Sequence, residues 1–173
     1  MLESVDIMKV CCFTGHRPNK LPWGYDEQDN RCEKLKNKVK QEVENLIQNG
    51  VQHFITGMAL GFDMICAEVV LDLQKEYKNI KLYGAIPCSN QCERWNEKYI
   101  AKYEEIFSKL YDFRCKYVKY NQFCMQERNS YMVDHSYYVI ALFDGTNGGT
   151  KNTVTYAKSK NKNIIIINPQ DFN

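Results

Sequence analysis

Apolar positions along the chain fall into two periods that take turns. Short apolar runs at residues 9–14, 52–56, 80–86, 137–143 and 163–167 have the length and β-branched character of strands. The run at 137–143 and the isoleucines at 164–167 have almost no polar interruption, which predicts strands buried on both faces. Between these runs the spacing changes to three and four. Leu35, Val39, Val43, Leu46 and Ile47 mark one face of a helix over 32–48, with Gly50 as its stop. Phe62, Ile65, Val69 and Leu73 mark a second helix, and Trp95, Tyr99, Tyr103, Ile106, Phe107 and Leu110 a third. Helices are also predicted over 126–133 and 153–160, a short strand near 117–118, and a stop at Pro87 for the strand that ends at Ile86.

Strands alternating with helices predict an α/β fold that is Rossmann-like, with a mostly parallel sheet and helices on both faces. No repeat, low-complexity tract or Pro/Gly-rich linker divides the chain. We expect a single domain over 8–173, preceded by a loose tail at 1–7.

Composition narrows the function classes. The chain has 173 residues, with 23 Lys+Arg against 21 Asp+Glu, a net charge of +2. That balance carries no electrostatic footprint for nucleic acid or an anionic membrane, so neither is an expected partner. No apolar run approaches the roughly 20 residues of a membrane span, and Met1 to Asp6 lacks a basic start and apolar segment, so a cytoplasmic protein is expected. Eight cysteines sit mostly in apolar segments, as buried reduced thiols do. Cys88 and Cys92, with Cys115 and Cys124 beyond them, lack the usual spacing of a zinc site. No metal and no cofactor is expected.

The chemistry gathers where strands end. In open parallel sheets, ligands bind beyond the carboxyl ends of the strands. Thr14-Gly15-His16-Arg17-Pro18 follows the first strand, and Thr56-Gly57-Met58-Ala59-Leu60-Gly61-Phe62-Asp63 the second. Asp144-Gly145-Thr146-Asn147-Gly148-Gly149-Thr150 follows the strand ending at Phe143. Glycine permits close backbone approach, and the helix that follows offers free N–H groups to an anion. A phosphate or diphosphate is the guest this pattern suits. The chain has neither G-x-x-x-x-G-K-[ST] nor a G-x-G-x-x-G after its first strand, so it has no ATP-hydrolysing P-loop and no ordinary dinucleotide fingerprint.

These turns, with Met125-Gln126-Glu127-Arg128-Asn129, resemble the SLOG superfamily, which holds the cytokinin-activating LOG proteins and the DNA-processing protein Smf/DprA. Pro87, Gln91 and Trp95 are similar to its small stand-alone bacterial and phage members. The resemblance implies a pocket for nucleotides and NAD- or ADP-ribose-like derivatives. In the LOG hydrolases an arginine, matched here by Arg128, works with a glutamate in G-G-x-G-T-x-x-E. Counting on from Gly149-Thr150 places Thr153 at that glutamate. A threonine does not supply the general acid/base or the negative charge of a carboxylate.

The residues expected at a ligand are therefore Gly15, His16, Arg17, Gly57, Met58, Ala59, Gly61, Asp63, Trp95, Arg128, Gly145, Gly148, Gly149, Thr150 and Thr153. Gly148 to Thr150 would hold phosphate, Arg17 and Arg128 would supply charge, and Asp63 would either accept from ribose hydroxyls or cap its helix. Trp95 suits either the core or a nucleobase stack. The expected protein is a non-catalytic binder of a nucleotide-type small molecule, as sensor or sponge in conflicts between phage and bacterium, and a homodimer. A LOG-type N-glycosidase and a DNA-binding module are the rival classes.

Overall fold

In the computed structural model, which describes residue 2 and residues 4–173, six strands form one sheet in which every pairing is parallel. The strands are β1 (Val10–Gly15), β2 (His53–Thr56), β3 (Lys81–Cys88), β4 (Asp112–Tyr117), β5 (Tyr138–Leu142) and β6 (Asn163–Ile167). Between them run α1 (Asn30–Gln48), α2 (Phe62–Leu73), α3 (Glu97–Ser108), α4 (Cys124–Asp134) and α5 (Gly149–Ser159). The expected α/β class is what the chain adopts.

Alternate residues of each strand serve opposite layers, as the pleat requires. Cys11, Phe13, Phe54, Leu82, Ile140 and Leu142 pack with α1, α2 and α3. Val10, Cys12, Ile55, Tyr83, Ala85 and Val139 pack with α4 and α5. The strand order is β4-β3-β2-β1-β5-β6. The chain thus steps outward from β1 to β4, then returns to lay β5 on the other side of β1. β1 and β5 stay paired through Gly15 and Leu142, and the chain leaves them toward opposite faces of the sheet, which opens the crevice characteristic of such sheets.

Three local expectations need correction. Pro87 does not stop β3, which runs on to Cys88. β2 pairs with β3 only as far as Gly84, so beyond that point β3 has a free side on which a missing N–H breaks no ladder bond. Trp95 precedes α3, because the Asn96 side chain accepts from the Lys98 N–H and caps the helix one residue later. The fourth strand is Asp112–Tyr117 rather than 117–118, and it lies at the sheet edge with most of its residues exposed. In the stretch expected to be a loose tail, Leu2 is 4% exposed against the α4–α5 layer. Met1 and Glu3 of that stretch lie outside the described residues.

Among the described residues, no helix is long and apolar enough to cross a membrane. All eight cysteines are free thiols, six of them buried.

Candidate functional site

The crevice between the ends of β1 and β5 contains a cavity of about 330 Å³. Each of its walls comes from a segment following a strand or from a helix start. The loop after β1 supplies Gly15, His16 and Arg17, then Asn19 and Lys20. The turn before α2 supplies Ala59 and Asp63, α4 supplies Met125, Arg128 and Asn129, and the start of α5 supplies Gly148, Gly149 and Thr150.

The floor is a buried ion pair. Arg128 Nη1 lies 3.6 Å from Asp63 Oδ2, and both side chains are almost wholly enclosed. Arg128 also donates through Nη1 to the Gly57 carbonyl, and through Nε to Asn129 Oδ1 at 2.7 Å. Burial raises the Asp63 carboxyl, opposed by the charges of Arg128 and Arg17. Burial likewise lowers the Arg128 guanidinium, opposed by the Asp63 charge. Each partner's charge thus opposes the effect of burial on the other.

The β2–α2 turn is built to bring that pair together. Thr56 Oγ1 donates to the Asp63 carbonyl at 2.9 Å and accepts from the Met58 N–H at 3.1 Å. Asp63 Oδ2 accepts from the Ala59 N–H at 3.3 Å. Met58 sits at φ 53, a conformation few non-glycine residues adopt, and its carbonyl accepts from Gln91 Nε2 at 2.7 Å. Gly57 is tight for another reason, since a Cβ there would run into the Arg128 guanidinium and lie 2.6 Å from Asp63 Oδ2. Gly61 is the N-cap of α2 at φ 98, and a Cβ would come within 2.9 Å of Pro18 and 3.1 Å of the His16 carbonyl. Asp63 stands two positions inside α2 and does not cap it.

The rim is cationic. Arg17 is exposed and meets no carboxylate among the described residues within ion-pair distance. Lys20 donates to the Asn147 carbonyl at 2.7 Å, which carries its ammonium across to the start of α5. Gly148 caps α5 with no side-chain hydrogen bond, so the first N–H groups of that helix are left to the cavity. His16 Nε2 lies 2.7 Å from Asp144 Oδ1 and ties together the segments that leave β1 and β5. Burial tends to raise the Asp144 carboxyl, but hydrogen bonds from the Thr146 hydroxyl and N–H and from His16 hold it well below the usual range. Among the described residues, Asp63 is the only carboxylate lining the cavity.

Not all expected residues converge. Gly57, Met58 and Gly61 shape the turn behind the floor rather than the wall. Gly145 is outside the cavity with nothing near its α-carbon's open position. Trp95 packs edge-on to Tyr103, 5.7 Å between ring centres, with the α1–α3 core. Thr153 lines an adjoining cavity of about 190 Å³ between α4 and α5, and its hydroxyl donates to the Gly149 carbonyl at 2.9 Å. Glu127, the neighbour of Arg128 in the same motif, binds Lys116 and the Tyr117 hydroxyl. It lines a neighbouring cavity of about 630 Å³ over β3 and β4, which meets the crevice at Arg128.

Lys20, Asn129 and Gln91 were not foreseen in their roles. Lys20 had one available signal, its position three residues after Arg17 in a short turn that presents both to one side. The partners of Asn129 and Gln91 emerge only on folding.

A model of the YspA SLOG family matches residues 11–172. The chain is 33% identical over 138 residues to the uncharacterized SPβ prophage-derived protein YoqJ of Bacillus subtilis strain 168, covering 72% of this chain and 81% of that one. It is 30% identical over 149 residues to a UPF0398 protein of Bacillus pumilus, covering 83% and 77%. A UPF0398 protein of Bacillus thuringiensis is 28% identical over 162 residues, covering 91% and 86%.

Proposed function

We propose, from the premise that this chain belongs to the YspA SLOG family, that its crevice holds a phosphate-bearing nucleotide or NAD-derived molecule without cleaving it. The observation that carries the reading is the start of α5. Its uncapped N–H groups at Gly148–Thr150 face Arg17 and Lys20 across one cavity. A helix N-terminus and two cations form a field suited to an anion. Asp63 lies below it, fixed by Arg128, within reach of a sugar hydroxyl.

The absence of cleavage rests on Thr153. Its hydroxyl is engaged by the Gly149 carbonyl and supplies no carboxylate beside the cradle. Asp63 is tied to the Ala59 N–H and paired with Arg128, so it serves as a fixed charge rather than a proton carrier. Such a binder acts as a sensor or as a sponge that withdraws a signalling nucleotide. The similarity to a prophage-derived protein agrees with a role in conflict between phage and bacterium.

Thermal unfolding with AMP, ADP-ribose, NAD, cyclic ADP-ribose isomers and cyclic dinucleotides tests the reading, with mass spectrometry of each mixture afterwards. A bound ligand at 100 times its Kd adds about 2.7 kcal/mol of stability, a rise of roughly 5–10 °C for a chain of this size. The expected result is a shift with the ligand recovered intact. Cleavage by the native protein that disappears in Asp63→Asn would replace the binder with an N-glycosidase.

A further inference from the structure

The proposed ligand cavity does not end at the phosphate cradle. The cavity of about 330 Å³ and its neighbour of about 190 Å³ share Met125, Asn129 and Gly149, so they are two lobes of one crevice. The two lobes differ in chemistry. The first holds Arg17, Lys20, Arg128 and Asp63. The second is lined by Gln122, Met125, Gln126, Asn129, Ser130, Gly149, Asn152, Thr153 and Tyr156, without one charged side chain. In a chain with 25% charged residues, nine uncharged positions on two facing surface helices form a distinct patch.

The spacing shows how the patch arises. Gln122, Gln126 and Asn129 follow one another at four and three residues along α4 and the turn before it. Gly149, Asn152, Thr153 and Tyr156 repeat at three, four and seven along α5. Each set occupies one helical face, and the two faces meet across the lobe.

Several of these groups are already oriented. Asn129 Oδ1 accepts from Arg128 Nε at 2.7 Å, which leaves its NH₂ to donate into the crevice. The Thr153 and Tyr156 hydroxyls both donate elsewhere, to the Gly149 carbonyl and to Asp134, and so remain acceptors toward the lobe. The amides of Gln122, Gln126 and Asn152 make no hydrogen bond to described residues. Side-chain amides match the paired donor and acceptor edge of a nucleobase, and the Met125 thioether makes a favourable contact with a ring.

Resting on the anion-cradle reading above, we infer that the lobe between α4 and α5 takes an uncharged nucleobase, read by Gln126, Asn129 and Asn152, while the phosphate stays at the start of α5. A second phosphate or carboxylate has no cation to meet in that lobe. The ligand class is thus a nucleotide with its base between the two helices, rather than a sugar phosphate or a bare diphosphate.

Titration calorimetry of the full chain with inorganic phosphate, ribose 5-phosphate and the four ribonucleoside monophosphates separates the two claims. At least one monophosphate is expected to bind ten or more times more tightly than ribose 5-phosphate. Gln126→Ala and Asn152→Ala, both at exposed positions, should weaken that nucleotide about 3- to 10-fold each, the loss of one hydrogen bond. They should leave ribose 5-phosphate unchanged. If ribose 5-phosphate equals every nucleotide, or neither variant discriminates, the base lobe is refuted and the anion cradle stands. If no phosphate compound binds, the cradle itself is wrong and the base lobe falls with it.

Discussion

Gly57 and Arg128 show how closely the crevice depends on single atoms. The guanidinium occupies the space that a Cβ at residue 57 would need. Gly57→Ala must therefore displace a buried cation from Asp63, an overpacking of about 1–3 kcal/mol that urea unfolding would register as a lower midpoint. Asp144 gives the pH dependence. Its carboxyl is held well below the usual range by Thr146 and His16 against the effect of burial. A depressed carboxylate contributes stability that is present above its unfolded pKa and lost as pH falls through the folded one. Asp144→Asn should thus be less stable than the native chain at pH 7, with the gap closing from about pH 4 downward. A gap that persists unchanged at pH 2 would contradict this. At this scale the sequence was legible where position follows from the turn itself, as at Gly15 and Gly148–Thr150, which line the cavity. It was illegible where the partner is remote, as with Gln91 and Met58, 33 residues apart.

The end of α1 was directly readable, while the starts of α3 and α5 were not, α5 beginning at Gly149 rather than 153. α1 stops where Gly50 predicted, with the Val51 N–H donating to the Leu46 carbonyl at 3.0 Å and the Gly50 N–H to Ile47 at 2.9 Å. α5 ends in the same pattern, Lys162 N–H to Ala157 carbonyl at 3.1 Å and Asn161 N–H to Lys158 at 3.0 Å. There Asn161 takes the left-handed position at φ 54. Asn161→Gly should raise stability by a few tenths to about 1 kcal/mol, because glycine adopts that conformation without steric cost. A lower melting temperature would argue that the asparagine side chain matters for another reason. Apolar runs failed to mark β4 for a physical cause. An edge strand whose residues are mostly exposed alternates Asp112, Arg114 and Lys116 with Phe113, Cys115 and Tyr117, a period of two that lacks the continuous apolar run of the inner strands. Trp95 misled in the opposite direction, since its apolar packing continues the face of α3 without belonging to the helix.

Over the whole molecule, the order of the strands turns scattered motifs into a site. Thr14–Lys20, Ala59–Asp63, Met125–Asn129 and Gly148–Thr150 are distant in sequence and share one crevice because the chain reverses direction across the sheet at β1 and β5. Alternating periods sufficed to foresee a parallel sheet with helices on both faces. They carried nothing about which strand ends would be neighbours, and therefore nothing about the cationic rim formed by Arg17, Lys20 and the start of α5.

That rim is the central claim, and calorimetric titration of AMP and ADP-ribose into the native chain and an Arg17→Ala, Lys20→Ala double variant tests it directly. The account predicts that the native chain binds at least one of them, and that the double variant loses roughly 100-fold or more in affinity. Each charge-assisted hydrogen bond contributes about 1.5–3 kcal/mol. Unaltered affinity in a folded double variant would contradict the account.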